Sequence, residues 1–174
     1  QKILAEAMEE LGFETGISSR SSGDNFVSDC TIETDQLALI PDSYIDMTAE
    51  KIRIYKELDS LTSEKDLINM KNRLTDRFGK MPVELERLCE IVRIRQLGQK
   101  LGFEKIIIKN GVMIAFFITN PLSQYYRSDR FSKVLENVNI NPKLFEIKQP
   151  DGRLRIMVRN VDGISKAYDI LKKL

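Results

Sequence analysis

The apolar residues of this chain change period at Gly102, from the 3.6 of a helix to the 2 of a strand. A chain that carries both periods in separate blocks has to pack helices against a sheet, so the fold class expected is α+β. Before the switch, three helices are predicted. The first runs over 48–60, with Ile52, Tyr55 and Leu58 inward. The second starts at Ser63, where Ser63 and Asp66 stand at the N-cap and N3 positions of a capping box, and stops at Gly79. The third opens at Pro82 and closes at Gly102. Its apolar stripe (Leu85, Leu88, Cys89, Ile91, Val92, Ile94, Leu101) is wide enough to imply more than one neighbour.

After the switch, 103–109 and 112–119 are β-branched runs joined by Asn110-Gly111, the strongest short-range hairpin signal because both residues tolerate positive φ. Asn120-Pro121 then introduces a helix predicted over 122–138. A second hairpin follows, with strands at 144–148 and 154–159 around the turn Gln149-Pro150-Asp151-Gly152. Asp162 is read as the cap of a last helix, with Ile164, Ala167, Ile170 and Leu171 inward. The order is an arm at 37–45, three helices, then ββαββα: one mainly antiparallel sheet of four strands with helices on one face. Cys30 to Thr34 alternates briefly and reads as a possible short edge strand.

The N-terminal stretch has a different character. Ile3, Leu4, Ala7, Met8 and Leu11 share one helix face from the first residues onward, with no capping lead-in, as in the end of a longer helix. Residues 1–12 are therefore expected to belong to an upstream domain. Residues 13–36, rich in Ser, Gly, Asp and Asn, are expected to be a linker containing the short strand, and 37–174 the main domain.

Composition bears on function mostly by exclusion. The chain has no His and no Trp, and its two Cys form neither a metal motif nor a disulfide framework. No Ser or Cys has a His to activate it, and Gly98 and Gly102 are not a phosphate loop. No catalytic residue, metal ligand or cofactor site is expected in this stretch. Cys89 lies in a helical apolar stripe and is expected to be a buried free thiol. No apolar run reaches the length of a membrane span, so the default location is the cytoplasm. Net charge is +1, yet 1–100 holds 14 basic against 19 acidic residues and 101–174 holds 13 against 7. That polarity suits charge-complementary packing, within the chain or with a partner.

Three clusters stand out. Asp76 in the last turn of the second helix opposes the helix dipole, a mild cost of a few tenths of a kcal/mol that an exposed contact surface around Arg73, Asp76 and Arg77 would explain; an ordinary C-terminal turn with a core Phe78 and a Gly79 stop is the plainer alternative. Tyr125 and Tyr126 beside Arg127 and Arg130 could stack bases, or could be a helix with one Tyr in the core. Arg153, Arg155 and Arg159 share one strand face by period 2 and, with Lys148, form a basic stripe opposite Leu154, Ile156 and Val158: either the solvated face of a half-buried sheet or a surface for an acidic partner.

Several of these residues together carry a family resemblance. Ile40-Pro41-Asp42-Ser43-Tyr44-Ile45, then Arg53-Ile54-Tyr55-Lys56, then Leu74-Thr75-Asp76-Arg77-Phe78-Gly79-Lys80-Met81-Pro82, and Gln99-Lys100-Leu101-Gly102 with Lys105-Ile106, resemble in order and spacing the C-terminal domain of the bacterial transcription-repair coupling factors (Mfd). Asp76-Arg77-Phe78-Gly79 followed by Pro82 is the most specific element. Ile3-Leu4-Ala5-Glu6-Ala7 is similar to the tail of that family's translocation motif.

The resemblance implies a parent protein that is an ATP-driven double-stranded DNA translocase, with ATP and Mg held in an upstream motor. Such a parent displaces stalled RNA polymerase and recruits UvrA in nucleotide-excision repair. It implies that 37–174 is a non-catalytic lid that packs on an N-terminal UvrB-like module and masks the UvrA-binding surface in a bacterial cytoplasm, with no membrane contact. Asp76 matches an acidic contact position of the family. Arg73 stands where the family often has Glu, a charge reversal. The alternative reading is a module that binds DNA or RNA polymerase directly through Lys148, Arg153, Arg155 and Arg159.

Overall fold

The computed structural model describes residues 26–174; the helix expected over 1–11 and the linker up to residue 25 lie outside the described residues. In chain order the elements are β1 (Thr31–Thr34), α1 (Thr48–Ser60), α2 (Glu64–Phe78), α3 (Val83–Leu101), β2 (Phe103–Lys109), β3 (Val112–Phe117), a 3-10 turn (Gln124–Arg127), α4 (Asp129–Ile140), β4 (Glu146–Lys148), β5 (Arg155–Arg159) and α5 (Ile164–Leu171). The sheet has five strands in the order β1-β2-β3-β5-β4. Three of its pairings are antiparallel, and β1 lies parallel to β2 with Thr31 opposite Lys105 and Thr34 opposite Ile108. The fold is α+β, as the two periods require.

The β2–β3 hairpin turns where Asn110-Gly111 predicts it. Both residues have positive φ, 53° and 73°, and the register is tight, with Lys109 opposite Val112. The β4–β5 connection uses the same device at Asp151 (φ 53°) and Gly152 (φ 76°). Alternation then splits the sheet into two faces. Ile106, Ile108, Met113, Ala115, Ile156 and Val158 are buried under the helices. On the opposite face no helix lies over the sheet among the described residues, and Ile107, Ile114, Phe116 and Met157 are half-buried.

Helix α3 is the hub. It contacts β1, β2 and each of the other four helices among the described residues, which is why its buried set, from Leu85 to Leu101, spreads around most of its circumference. Two glycines let it approach so closely. A Cβ on Gly98 would sit 2.7 Å from Cys30 Sγ, and one on Gly102 only 2.1 Å from the Tyr125 ring. Gly102 also needs its φ of 94° to end the helix. Arg95, buried on α3, donates to Asp59 Oδ1 (2.9 Å) and to the Asp59 carbonyl (3.0 Å), and Gln96 Nε2 donates to the Leu61 carbonyl (3.0 Å). The last two of these bonds satisfy backbone carbonyls at the α1–α2 corner.

The segment around Pro41 is a strap over α1 and α2. The Ile40 N–H donates to the buried Tyr55 hydroxyl (2.8 Å), and the Leu39 N–H to the Glu84 carbonyl (3.2 Å). Tyr44 packs on Phe78 at 5.7 Å between ring centroids, and its hydroxyl donates toward the carbonyls of Leu74 (3.1 Å) and Gly79 (2.9 Å).

Five local expectations need correction. The 122–138 helix is broken: Gln124–Arg127 is a 3-10 turn, Ser128 is extended, and α4 starts at Asp129, because Ser128 Oγ accepts from the Phe131 N–H (3.3 Å) as an N-cap. The sheet holds five strands rather than four, since Thr31–Thr34 pairs with β2; with Val27, Cys30 and Ile32 buried, the packed unit begins ahead of residue 37. Strand β4 is only three residues long. On α1 the inward set is Lys51, Ile54, Tyr55 and Leu58, with Ile52 half-buried; the Lys51 stem is covered while its ammonium pairs with Asp42. The N-cap of α5 is Gly163, and Asp162 instead pairs with Lys166 one turn on (3.6 Å).

Candidate functional site: an arginine-covered helix pair

The helix periods of α1 and α2 place Glu50, Arg53 and Glu57 on one stripe of the first helix and Met70, Arg73, Leu74, Arg77 and Phe78 on the facing stripe of the second. Ions cross between them. Arg77 Nη1 lies 2.6 Å from Glu50 Oε1, and Arg73 pairs with Glu57. Arg53 bridges both carboxylates, 2.5 Å from Glu50 and 3.8 Å from Glu57. Beneath is a shallow cleft of about 180 Å3 lined by these Arg and by Ile54, Met70, Leu74 and Phe78. The Arg77 guanidinium also sits 4.8 Å from the Phe78 ring centroid.

The network is layered. The carboxylate side chains of Glu50 and Glu57 are 18% and 27% exposed, whereas Arg53, Arg73 and Arg77 are 53%, 62% and 60% exposed. The acids lie underneath and orient the guanidinium groups; the outermost layer is cationic. Hydrogen bonding from Arg53, with the charges of Arg53 and Arg77, holds the Glu50 carboxyl below the ordinary carboxylate range. Asp76 is exposed in the same last turn of α2 and makes no ion pair among the described residues. Arg73 and Arg77 thus share one face, and Asp76 stands outside their network. Sequence reasoning missed Glu50, Arg53 and Glu57 as members of this surface, although their i, i+3 and i+4 spacing on α1 was a usable signal.

The basic stripe is less uniform than its spacing suggests. Lys148 and Arg159 share Glu146, at 3.5 and 3.2 Å. Arg153 and Arg155 lie over Phe116, 4.5 and 5.9 Å from its ring centroid. Of the tyrosine pair, Tyr125 is wholly buried and donates to the Leu101 carbonyl (2.5 Å), and the Tyr126 hydroxyl is bound to the Ile118 carbonyl. Tyr125 is a core residue and has no face to offer a base.

Both cysteines are free and buried, as expected for Cys89. Burial pushes each thiol up to about 12, which leaves almost no thiolate near neutrality. Among the described residues no group of three or more His, Cys, Asp or Glu is arranged to hold a metal ion, and no helix is long and apolar enough to cross a membrane.

Comparison with known proteins agrees in one direction. The family model of the TRCF domain matches residues 34–128. A transcription-repair-coupling factor of Rickettsia typhi is 29% identical over 174 residues, covering 98% of this chain and 14% of that protein. That of Staphylococcus haemolyticus is 45% identical over 137 residues, covering 72% of this chain and 12% of the relative, and that of Escherichia coli 36% identical over 75 residues, covering 43% and 6%. The chain thus spans well under a fifth of the length of these relatives. A crystal structure of the C-terminal domain of transcription-repair coupling factor superposes with a TM-score of 0.69 at 18% identity, covering 83% of this chain and 88% of that one; that likeness speaks to the fold.

Proposed function

Because the chain belongs to the TRCF domain family, we propose that it is the regulatory lid of a DNA-repair translocase that couples transcription to nucleotide-excision repair. In this reading it has no catalysis of its own. ATP, Mg, duplex DNA and RNA polymerase engage upstream domains, and the lid packs on an N-terminal UvrB-like module so that UvrA cannot reach its surface. The contact is made by Arg73, Asp76 and Arg77.

The layered α1–α2 face supports this most directly. Its carboxylates are used internally, and its outermost groups are guanidinium forks held in place before any partner arrives. A partly polar interface of this kind fixes register and opens at modest cost, which suits a two-state element. Arg73 in place of an acidic residue means that the opposing module meets it with carboxylates.

The test is made in the full-length protein. Arg73→Glu with Arg77→Glu should tighten UvrA binding about tenfold, equivalent to ~1.4 kcal/mol taken from the closed form, and raise the ATPase rate with it. Unchanged UvrA affinity and ATPase rate, in a protein whose melting curve is intact, would rule the lid out.

A further inference from the structure

We propose that the open face of the sheet, with the cavity at its end, binds an acidic peptide segment of a protein partner through one large apolar side chain. This site lies away from the α1–α2 face and does not depend on the lid reading.

The open face has an apolar centre. Ile107, Ile114 and Met157 stand in register across β2, β3 and β5, each half-buried, and Phe116 opposite Arg155 begins the next row. Six cations surround this centre, and four of them are compensated in pairs. Lys105 and Lys109 share Glu33 at 3.1 and 3.7 Å, just as Lys148 and Arg159 share Glu146. Arg153 and Arg155 make no ion pair among the described residues, and Arg155 Nε is buried without a hydrogen-bond partner.

Of the two, Arg153 is also where the face meets a cavity. Arg153 stacks on Phe116 and at the same time lines a cavity of about 530 Å3 walled by Ile118, Pro121, Tyr126 and Leu154. A cavity with this apolar wall, with Thr119, Gln149 and Asp151 on its polar side and Arg153 at its edge, takes an apolar anchor flanked by carboxylates: the anchor lies on the apolar wall while the carboxylates meet the fork-shaped donors of Arg153 and, over Phe116, of Arg155. A nucleic-acid backbone fits worse. It needs a run of free cations, and of the six on this face only Arg153 and Arg155 make no ion pair among the described residues.

Binding is measured by fluorescence anisotropy on the 174-residue chain. The probes are labelled short peptides with a central Phe, Leu or Met flanked by Glu, the same peptides with Lys for Glu, and labelled duplex and single-stranded DNA. The Glu-flanked peptides should bind saturably and the Lys-flanked ones should not. Arg153→Glu and Arg155→Glu should each weaken binding by about tenfold or more, with melting curves confirming that the variants fold. Glu146→Gln, which leaves Lys148 and Arg159 uncompensated, should tighten it. Failure of every Glu-flanked peptide to bind, or binding indifferent to both charge reversals, would overturn the proposal. So would DNA binding that exceeds peptide binding and is lost in the same two variants.

Discussion

At the scale of single residues, a few positions decide whether α3 can sit on the sheet. Gly102 is the most constrained. Its φ of 94° disfavours any side chain, and a Cβ there would overlap the ring of Tyr125, itself pinned by its bond to the Leu101 carbonyl. Gly102→Ala should therefore cost about 2–4 kcal/mol, the sum of backbone strain and overpacking, read as a fall in the urea midpoint. Tyr55→Phe should cost about 1–3 kcal/mol by leaving the buried Ile40 N–H without an acceptor. The cysteines give a pH signature. Burial raises both thiols from an ordinary 9.0 to about 12. Between those values the unfolded chain loses protons that the folded one keeps, so the stabilisation is complete below about pH 9 and declines as pH climbs toward 12. Replacing both Cys30 and Cys89 by Ala should flatten that alkaline decline in denaturation midpoints, and the native thiols should resist a thiol reagent near pH 8 until the protein unfolds.

At the scale of elements, legibility depended on how local the determining interaction is. The ends of α2 and α3 could be read because Ser63, Gly79 and Gly102 act on their own neighbours, as could both hairpin turns. The helix expected at 122–138 failed for an equally local reason: Ser128-Asp129 is a second N-terminus inside the periodic stretch, and its capping bond outcompeted continuation of the helix. The pairing of β1 was not legible in the same way. Its partner lies some seventy positions along the chain, in β2, and nothing in Cys30 to Thr34 specifies it. The arginine face lies between these cases, with Arg73 and Arg77 visible by spacing and their counter-ions fixed only by how α1 crosses α2. Ion pairs at this scale also differ in weight. Arg95 is 4% exposed and Asp59 37%, so Asp59→Ala strands a mostly buried charge and should cost about 2 kcal/mol, below the full value for a closed pair. Arg53→Ala, on a side chain 53% exposed, should change stability by less than about 1 kcal/mol. Parallel thermal melts of the two variants would show whether that ordering holds.

At the scale of the whole molecule, the acidic first hundred residues and the basic remainder mark two different uses of charge. In the helical half, Glu50, Glu57, Asp59, Glu64 and Glu90 are internal glue, each holding an Arg in place. In the sheet half, acids are fewer than cations, and Arg153 and Arg155 on the open face are among the cations that make no ion pair among the described residues. What joins the halves is α3 against β1 and β2, and this sets where the unit can be shortened. Composition placed the domain start at 37, because Ser, Gly and Asp dominate the residues before it. Packing adds to that start: Val27, Cys30 and Ile32 are buried, and a side chain on Gly98 would run into Cys30. Removing residues 26–36 from a 26–174 protein would strip two aliphatic side chains and a buried thiol from the core, at about 1.5–3 kcal/mol for each aliphatic one, and would open the edge of β2. Set against the 5–15 kcal/mol typical of a whole domain, a loss of this size should bring 37–174 close to unfolding at room temperature while 26–174 melts cooperatively. Calorimetry on the two lengths distinguishes the outcomes, and equal melting temperatures would show that β1 is an accessory to the fold rather than part of it.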